Sequence, residues 1–154
     1  MLIYRITDPE LNVFMARLFK EAVFDTFEVR GLEVCTFTEF RISGALDKDF
    51  DGTDTDAAYC AWGRLKPFAV DFIKGRKRPR LIRITLSHPS AAAAQLHPNA
   101  AALFLNINYE LDEAQITTGA SQKNFALDKS VEGVWDDYIE AFFAQHNIPI
   151  STRL

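Results

Sequence analysis

The chain has 154 residues, a net charge of −4 and 48% apolar residues, which together fit one globular domain with a core of its own. Its two cysteines, Cys35 and Cys60, exclude a disulfide framework and a cysteine-based metal site. No apolar run approaches the roughly 18 residues of a membrane helix, and the start lacks the pattern of a signal peptide. We therefore expect a cytoplasmic protein with reduced thiols and no membrane association.

The first half of the chain predicts strands and two helices. Residues 2–6 form a short strand, and the apolar residues of 11–22 follow at helical spacing. β-branched and aromatic residues dominate 27–46, which predicts two strands or one long strand with a bulge. Residues 57–74 predict a helix that kinks or breaks near Lys66, since Pro67 removes a backbone donor.

The second half predicts a hairpin and a long final helix. In chain order the expected elements are a strand at 81–86, a short helix at 89–96, a hairpin of 103–109 and 114–118 that turns at 110–113, a strand at 125–127 and a helix at 131–143. Hairpin signals outnumber β-α-β crossovers. The sequence therefore predicts an α+β fold, a single domain over 1–154 with an antiparallel or mixed sheet and three to four helices packed mainly on one face.

An acidic loop, residues 47–56, carries half of a calcium-binding motif. Asp47, Asp49, Asp51 and Gly52 follow the spacing D-x-D-x-D-G, in which oxygen ligands surround a hard cation. The match then fails, because Ala58 stands where a bidentate glutamate belongs. The pattern leaves two interpretations open. The loop is either a Ca²⁺ or Mg²⁺ site, as a metal-dependent hydrolase would need, or a set of solvated carboxylates near a helix N-terminus.

A basic turn is the second candidate site. Its members are Lys74, Arg76, Lys77, Arg78 and Arg80. Such a run predicts contact with the phosphates of a nucleic acid or with an acidic protein. The alternative is a helix C-terminus, where cations are favoured by the exposed carbonyl groups. No aromatic residue interleaves with the run, which disfavours binding to a single strand.

A small polar segment after the hairpin is the third candidate. Thr118, Gly119, Ser121 and Lys123 predict a turn between two strands that lines a groove, because glycine lets another chain approach closely. The spacing of a phosphate-binding loop is absent. No histidine stands at metal-ligand spacing and no nucleophile motif occurs, so the prediction leans against an enzyme and names no required cofactor.

Five stretches together resemble a known family. They are 68–79 (FAVDFIKGRKRP), 103–107 (LFLNI), 117–121 (TTGAS), 125–129 (FALDK) and 135–137 (WDD). The family consists of short bacterial proteins of anaerobic Gram-positive lineages and carries only a domain-of-unknown-function label. The resemblance spans nearly the whole chain and implies no activity or cofactor. The order of elements also resembles one lobe of a sliding DNA clamp, a likeness of topology alone.

Three functions remain open from the sequence. The first is a non-enzymatic binding module that uses the basic turn. The second is a metal-dependent protein that uses the acidic loop, and the third is an assembly component with exposed aromatic residues. The sequence leaves the oligomeric state open.

Overall fold

The structure is a computed structural model that describes residues 1–52, 56–75 and 77–154. Its strands are Ile3–Ile6 (β1), Glu28–Cys35 (β2), Glu39–Ser43 (β3), Leu81–Ser87 (β4), Ala100–Glu110 (β5), Glu113–Gln122 (β6) and Thr152–Arg153 (β7). Its helices are Glu10–Phe19 (α1), Lys48–Asp51 (α2), Trp62–Ile73 (α3), Ser90–Leu96 (α4) and Ser130–Gln145 (α5). No helix in these ranges is long and apolar enough to cross a membrane.

All seven strands form one antiparallel sheet in the order β3-β2-β4-β5-β6-β1-β7. The α+β prediction is confirmed, and the sheet is antiparallel rather than mixed. The predicted hairpin is confirmed as β5 and β6, which meet at the pair Glu110 and Glu113. Its two turn residues, Leu111 and Asp112, both have positive φ values of 53° and 58°, as a tight hairpin turn with the twist of the strands requires.

The core lies against one face of the central strands. Alternate residues of β5, including Leu105 and Ile107, are fully buried, because side chains along a strand point to opposite faces. They share a hydrophobic cluster with Phe14 of α1 and with Trp135 and Ile139 of α5. The apolar side chains that recur about every 3.6 residues in these helices thus pack against the alternate, buried side chains of the strands.

The helix number and the arrangement of the second face differ from the prediction. Five helices occur in the part of the chain that the structure describes, because α2 was not predicted, whereas α4 corresponds to the short helix predicted at 89–96. The second face of the sheet is not wholly open either. Cys35, Leu81 and Ser87 alternate with core residues along their strands, yet all three are buried. The predicted one-sided packing is therefore only approximate.

Helix α3 starts later than the sequence predicts. Tyr59 and Ala61 form isolated β-bridges with Ala45 and Glu28, so the backbone before Trp62 is extended rather than helical. Tertiary pairing here overrides the local helical pattern. Within α3 the helix continues through Pro67 without a break, and the kink that was the other predicted outcome stays a prediction.

Two short segments were also predicted wrongly. Residues 125–127 form no strand, and Thr118, Gly119 and Ser121 of the small polar segment lie in β6 rather than in a turn. The strand that was missed, β7, pairs Thr152 and Arg153 with Arg5 and Tyr4 of β1. The region 27–46 does contain two strands, and β2 carries a bulge between Val29 and Gly31.

Candidate functional site

The basic turn is held beside the turn that joins β2 and β3. The backbone N–H of Arg80 donates to the carbonyl oxygen of Cys35 at 2.9 Å, so the end of the basic turn is fixed to the end of β2. The β2–β3 turn is itself closed by Thr36 N–H, which donates to Thr38 O at 2.9 Å. The sheet thereby brings together segments that are about 40 residues apart in the chain.

Three phenylalanine rings lie along this junction. Phe40 of β3 stacks on Phe72 of α3 with ring centres 4.6 Å apart and an interplanar angle of 21°. Phe37, at the tip of the β2–β3 turn, meets Phe40 edge-on at 5.9 Å. The side chain of Phe37 is 91% exposed. The two inner rings anchor the junction, and the outer ring presents apolar surface to solvent.

The junction encloses a groove of about 810 Å³. We call it the basic–aromatic groove, and its principal lining residues are Phe37, Phe40, Phe72, Lys74, Lys77, Arg78 and Arg80. Four of the five predicted basic residues therefore line one concavity. The fifth, Arg76, lies outside the described residues.

Most of the cations in the groove have carboxylate partners. The ion pairs are Lys74 with Asp71 at 2.9 Å, Arg78 with Asp112 at 3.2 Å and Arg80 with Glu110 at 3.9 Å. Within the described ranges Lys77 has no ion pair. The hydrogen bond to Asp112 raises the pKa of Arg78, which keeps that group charged. Since exposed ion pairs contribute little to stability, a ligand that brings phosphate groups can replace these carboxylates.

The structure describes residues 47–52 and 56 of the acidic loop, whereas 53–55 lie outside the described residues. Asp47 caps α2 by accepting a hydrogen bond from Phe50 N–H at 3.2 Å, and Asp51 binds the guanidinium of Arg64 through both oxygens at 2.6 and 3.1 Å. Asp49 is exposed. In the described part of the chain no three His, Cys, Asp or Glu side chains converge on one point. The Ca²⁺ or Mg²⁺ site stays a prediction.

The small polar segment lies far from the basic turn. Thr118 is buried, where its hydroxyl accepts from Leu2 N–H at 2.8 Å and donates to Asp136 at 2.6 Å. Ser121 lies eight residues along β6 from Glu113, which is about 27 Å at the rise of an antiparallel strand. Because Glu113 is at the same end of the sheet as Leu81 and the basic turn, the two candidate regions do not share a groove.

The remaining two residues of the small polar segment are Gly119 and Lys123. Gly119 lies in β6 beside Phe104, with room for a side chain, because an added Cβ would lie 3.8 Å from the nearest Phe104 atom. Lys123 follows the strand and is exposed. Neither residue contacts the basic–aromatic groove.

Comparison with protein families gives one match. The model of a family of unknown function (DUF5721) covers residues 17–151 of the chain. The chain belongs to this family. The match confirms the resemblance to a domain-of-unknown-function family, whereas the bacterial, Gram-positive origin stays a prediction. No curated protein and no solved structure matches the chain.

In this member of the DUF5721 family, the aromatic part of the groove could not be found by scanning the basic run for aromatic residues. Phe72 stands two residues before Lys74 and was available as a signal. Phe37 and Phe40 are more than 30 residues away from the run, and only the pairing of β2 with β3 and β4 brings them there. The sequence argument against single-strand binding considered only the basic run, so it did not include these two rings.

Proposed function

We propose that the protein is a non-enzymatic binding module that holds single-stranded nucleic acid in the basic–aromatic groove. The observation that carries the proposal is the exposed ring of Phe37 beside the cations of the groove. Proteins that bind single strands combine cations, which follow the phosphates, with aromatic rings on which bases stack.

The arrangement favours a single strand over a duplex. In a duplex the base faces are stacked on one another, so none is free to stack on a ring such as Phe37. In a single strand each base has a free face, and stacking contributes about 1–3 kcal/mol per base. An acidic protein, the other partner predicted from the basic turn, would use the same cations and leave the exposed ring unexplained.

The net charge of the molecule predicts a modest affinity for nucleic acid. The chain carries a net charge of −4, and three groove cations already have carboxylate partners. Binding should therefore be modest, independent of base sequence and sensitive to salt, because released counterions supply much of the affinity.

Lys77 offers a direct test of the phosphate contact. We expect Lys77→Gln to weaken binding of a labelled single-stranded oligonucleotide in fluorescence anisotropy, and to reduce the slope of log K against log salt by about 0.7 for one lost phosphate contact. The melting temperature should not change, since Lys77 is exposed.

Lys123→Gln is the matched control. It removes the same charge from an exposed lysine at the opposite end of the sheet, so it should bind as the wild type does. Equal weakening by the two substitutions would mean that only the overall charge matters, and it would contradict a phosphate contact in the groove. A duplex of the same sequence should bind more weakly than the single strand.

A further inference from the structure

The guanidinium of Arg30 is displayed by a bulge in β2. Val29 pairs with Leu86 and Gly31 pairs with Thr85, so Arg30 is the extra residue between two regular pairs. A bulge redirects a side chain that the regular alternation would have placed elsewhere. The orientation of the Arg30 side chain therefore depends on the pairing of β2 with β4 rather than on the local sequence.

Three other segments fix the Arg30 side chain. Its Nε donates to the Ser87 hydroxyl at the end of β4, at 3.1 Å. Its Cζ lies 4.0 Å from the ring centre of Tyr59 and 5.3 Å from that of Phe104. Aromatic rings attract a guanidinium, and arginine is the cation best suited to stacking on them. The head group is thus held in one orientation before any ligand arrives.

The outer edge of this guanidinium has no partner among the residues that the structure describes. Among the described residues no group accepts a hydrogen bond from either Nη nitrogen, and no carboxylate lies within 4 Å of them. The side chain is only half-buried, and neither Nη nitrogen is among the buried side-chain atoms without a hydrogen-bond partner. The carboxylate of Glu28, on the same strand, is occupied by the backbone N–H of Ser90 at 3.4 Å and its hydroxyl at 3.2 Å.

We propose that Arg30 is the centre of a second binding site, one that takes a small molecule through a carboxylate or phosphate group. The two Nη groups form a fork that matches two oxygens of such a group. Because Ser87, Tyr59 and Phe104 already order the side chain, binding costs little further entropy. The proposal is independent of the basic–aromatic groove, since none of these four residues lines it.

The test is the melting temperature in the presence of inorganic phosphate or of succinate, each with sodium chloride at matched ionic strength as the reference. A ligand that binds only the native state raises the melting temperature by mass action, by roughly 3–6 °C at ten times the dissociation constant. We expect a saturable rise with at least one of the two anions. A rise with phosphate alone assigns a phosphoryl ligand, and a rise with succinate alone assigns a carboxylate ligand.

Arg30→Gln should abolish the rise, whereas Arg83→Gln should retain it. Arg83 is an exposed arginine of β4, so its loss removes the same charge without touching the ring contacts. Should Arg30→Gln fail to fold, Arg30→Lys keeps the charge but loses the planar fork, and the rise should then be clearly smaller. No rise above chloride in the wild type, or an undiminished rise in either Arg30 variant, would overturn the proposal.

Discussion

His88 is enclosed by aromatic side chains between β4 and α4. Its ring lies 5.3 Å from that of Trp135 and 4.9 Å from that of Tyr138, both on α5, and 6.2 Å from that of Phe27. Its Nδ1 is buried and has no hydrogen-bond partner among the described residues. Burial lowers the pKa of His88, because an apolar setting disfavours the charged imidazolium.

This environment makes stability depend on pH in a defined direction. The pKa of His88 is lower in the folded state than in the unfolded state, so the unfolded chain binds more protons below pH ~6.5 and stability falls as the pH decreases through that region. His88→Phe should remove this part of the dependence. Urea unfolding between pH 7.5 and 5 would measure it, and an identical slope in the wild type and the variant would contradict the assignment.

Phe37 and Phe50 show that the meaning of an exposed ring depends on its neighbours. Both are more than 90% exposed, but only Phe37 lies beside a cluster of cations. The cations could be located from the sequence because all of them lie within residues 74–80. Phe37 could not, because its proximity to them depends on a sheet pairing between distant segments.

At the scale of elements, the pairing of β2 with the end of β3 near the bulge depends on one close backbone approach. A Cβ added to Gly44, which follows β3, would lie 1.7 Å from the carbonyl oxygen of Val29 and 2.6 Å from its carbon. Backbone atoms cannot move aside as a flexible side chain can. Glycine is therefore required here so that β3 can pack against the bulge that displays Arg30.

Gly44→Ala should consequently destabilise the protein by about 2–4 kcal/mol, because overpacking against rigid backbone is among the costliest single changes. Gly133→Ala is the matched control, since Gly133 lies in α5 with open space around it. There the same substitution should stabilise by about 0.4–1 kcal/mol through the lower entropy of the unfolded chain. Equal effects of the two changes in urea unfolding would contradict this account.

The elements that could be predicted share strong local periodicity. The alternation in β5 and the helical spacing in α5 were sufficient, because each pattern matches one face of the core. The end of β6, residues 119–122, was missed because it begins with Gly119 and Ala120, two residue types with weak strand preference. Likewise, β7 and the late start of α3 follow from pairing with distant residues, which no local pattern contains.

At the scale of the whole molecule, the fold separates two kinds of surface. The basic–aromatic groove lies at the end of the sheet where β2 turns into β3, and Arg30 lies near the opposite end of β2. The sequence identified the cations of the basic–aromatic groove. It did not identify the rings of Phe37 and Phe40 beside them, or those of Tyr59 and Phe104 beside Arg30. Family membership adds no activity, so the proposed functions depend on the geometry of these two sites.

The most direct test of the central claim compares two phenylalanine substitutions. The measurement is the affinity of Phe37→Ala and Phe50→Ala for a labelled single-stranded oligonucleotide at low salt, by fluorescence anisotropy. Both rings are exposed, so neither change should affect folding. We predict that Phe37→Ala weakens binding by about 5–150-fold, which corresponds to one lost base stack, and that Phe50→Ala binds like the wild type. Wild-type affinity in Phe37→Ala, or no binding by the wild type itself, would contradict single-strand binding in the groove.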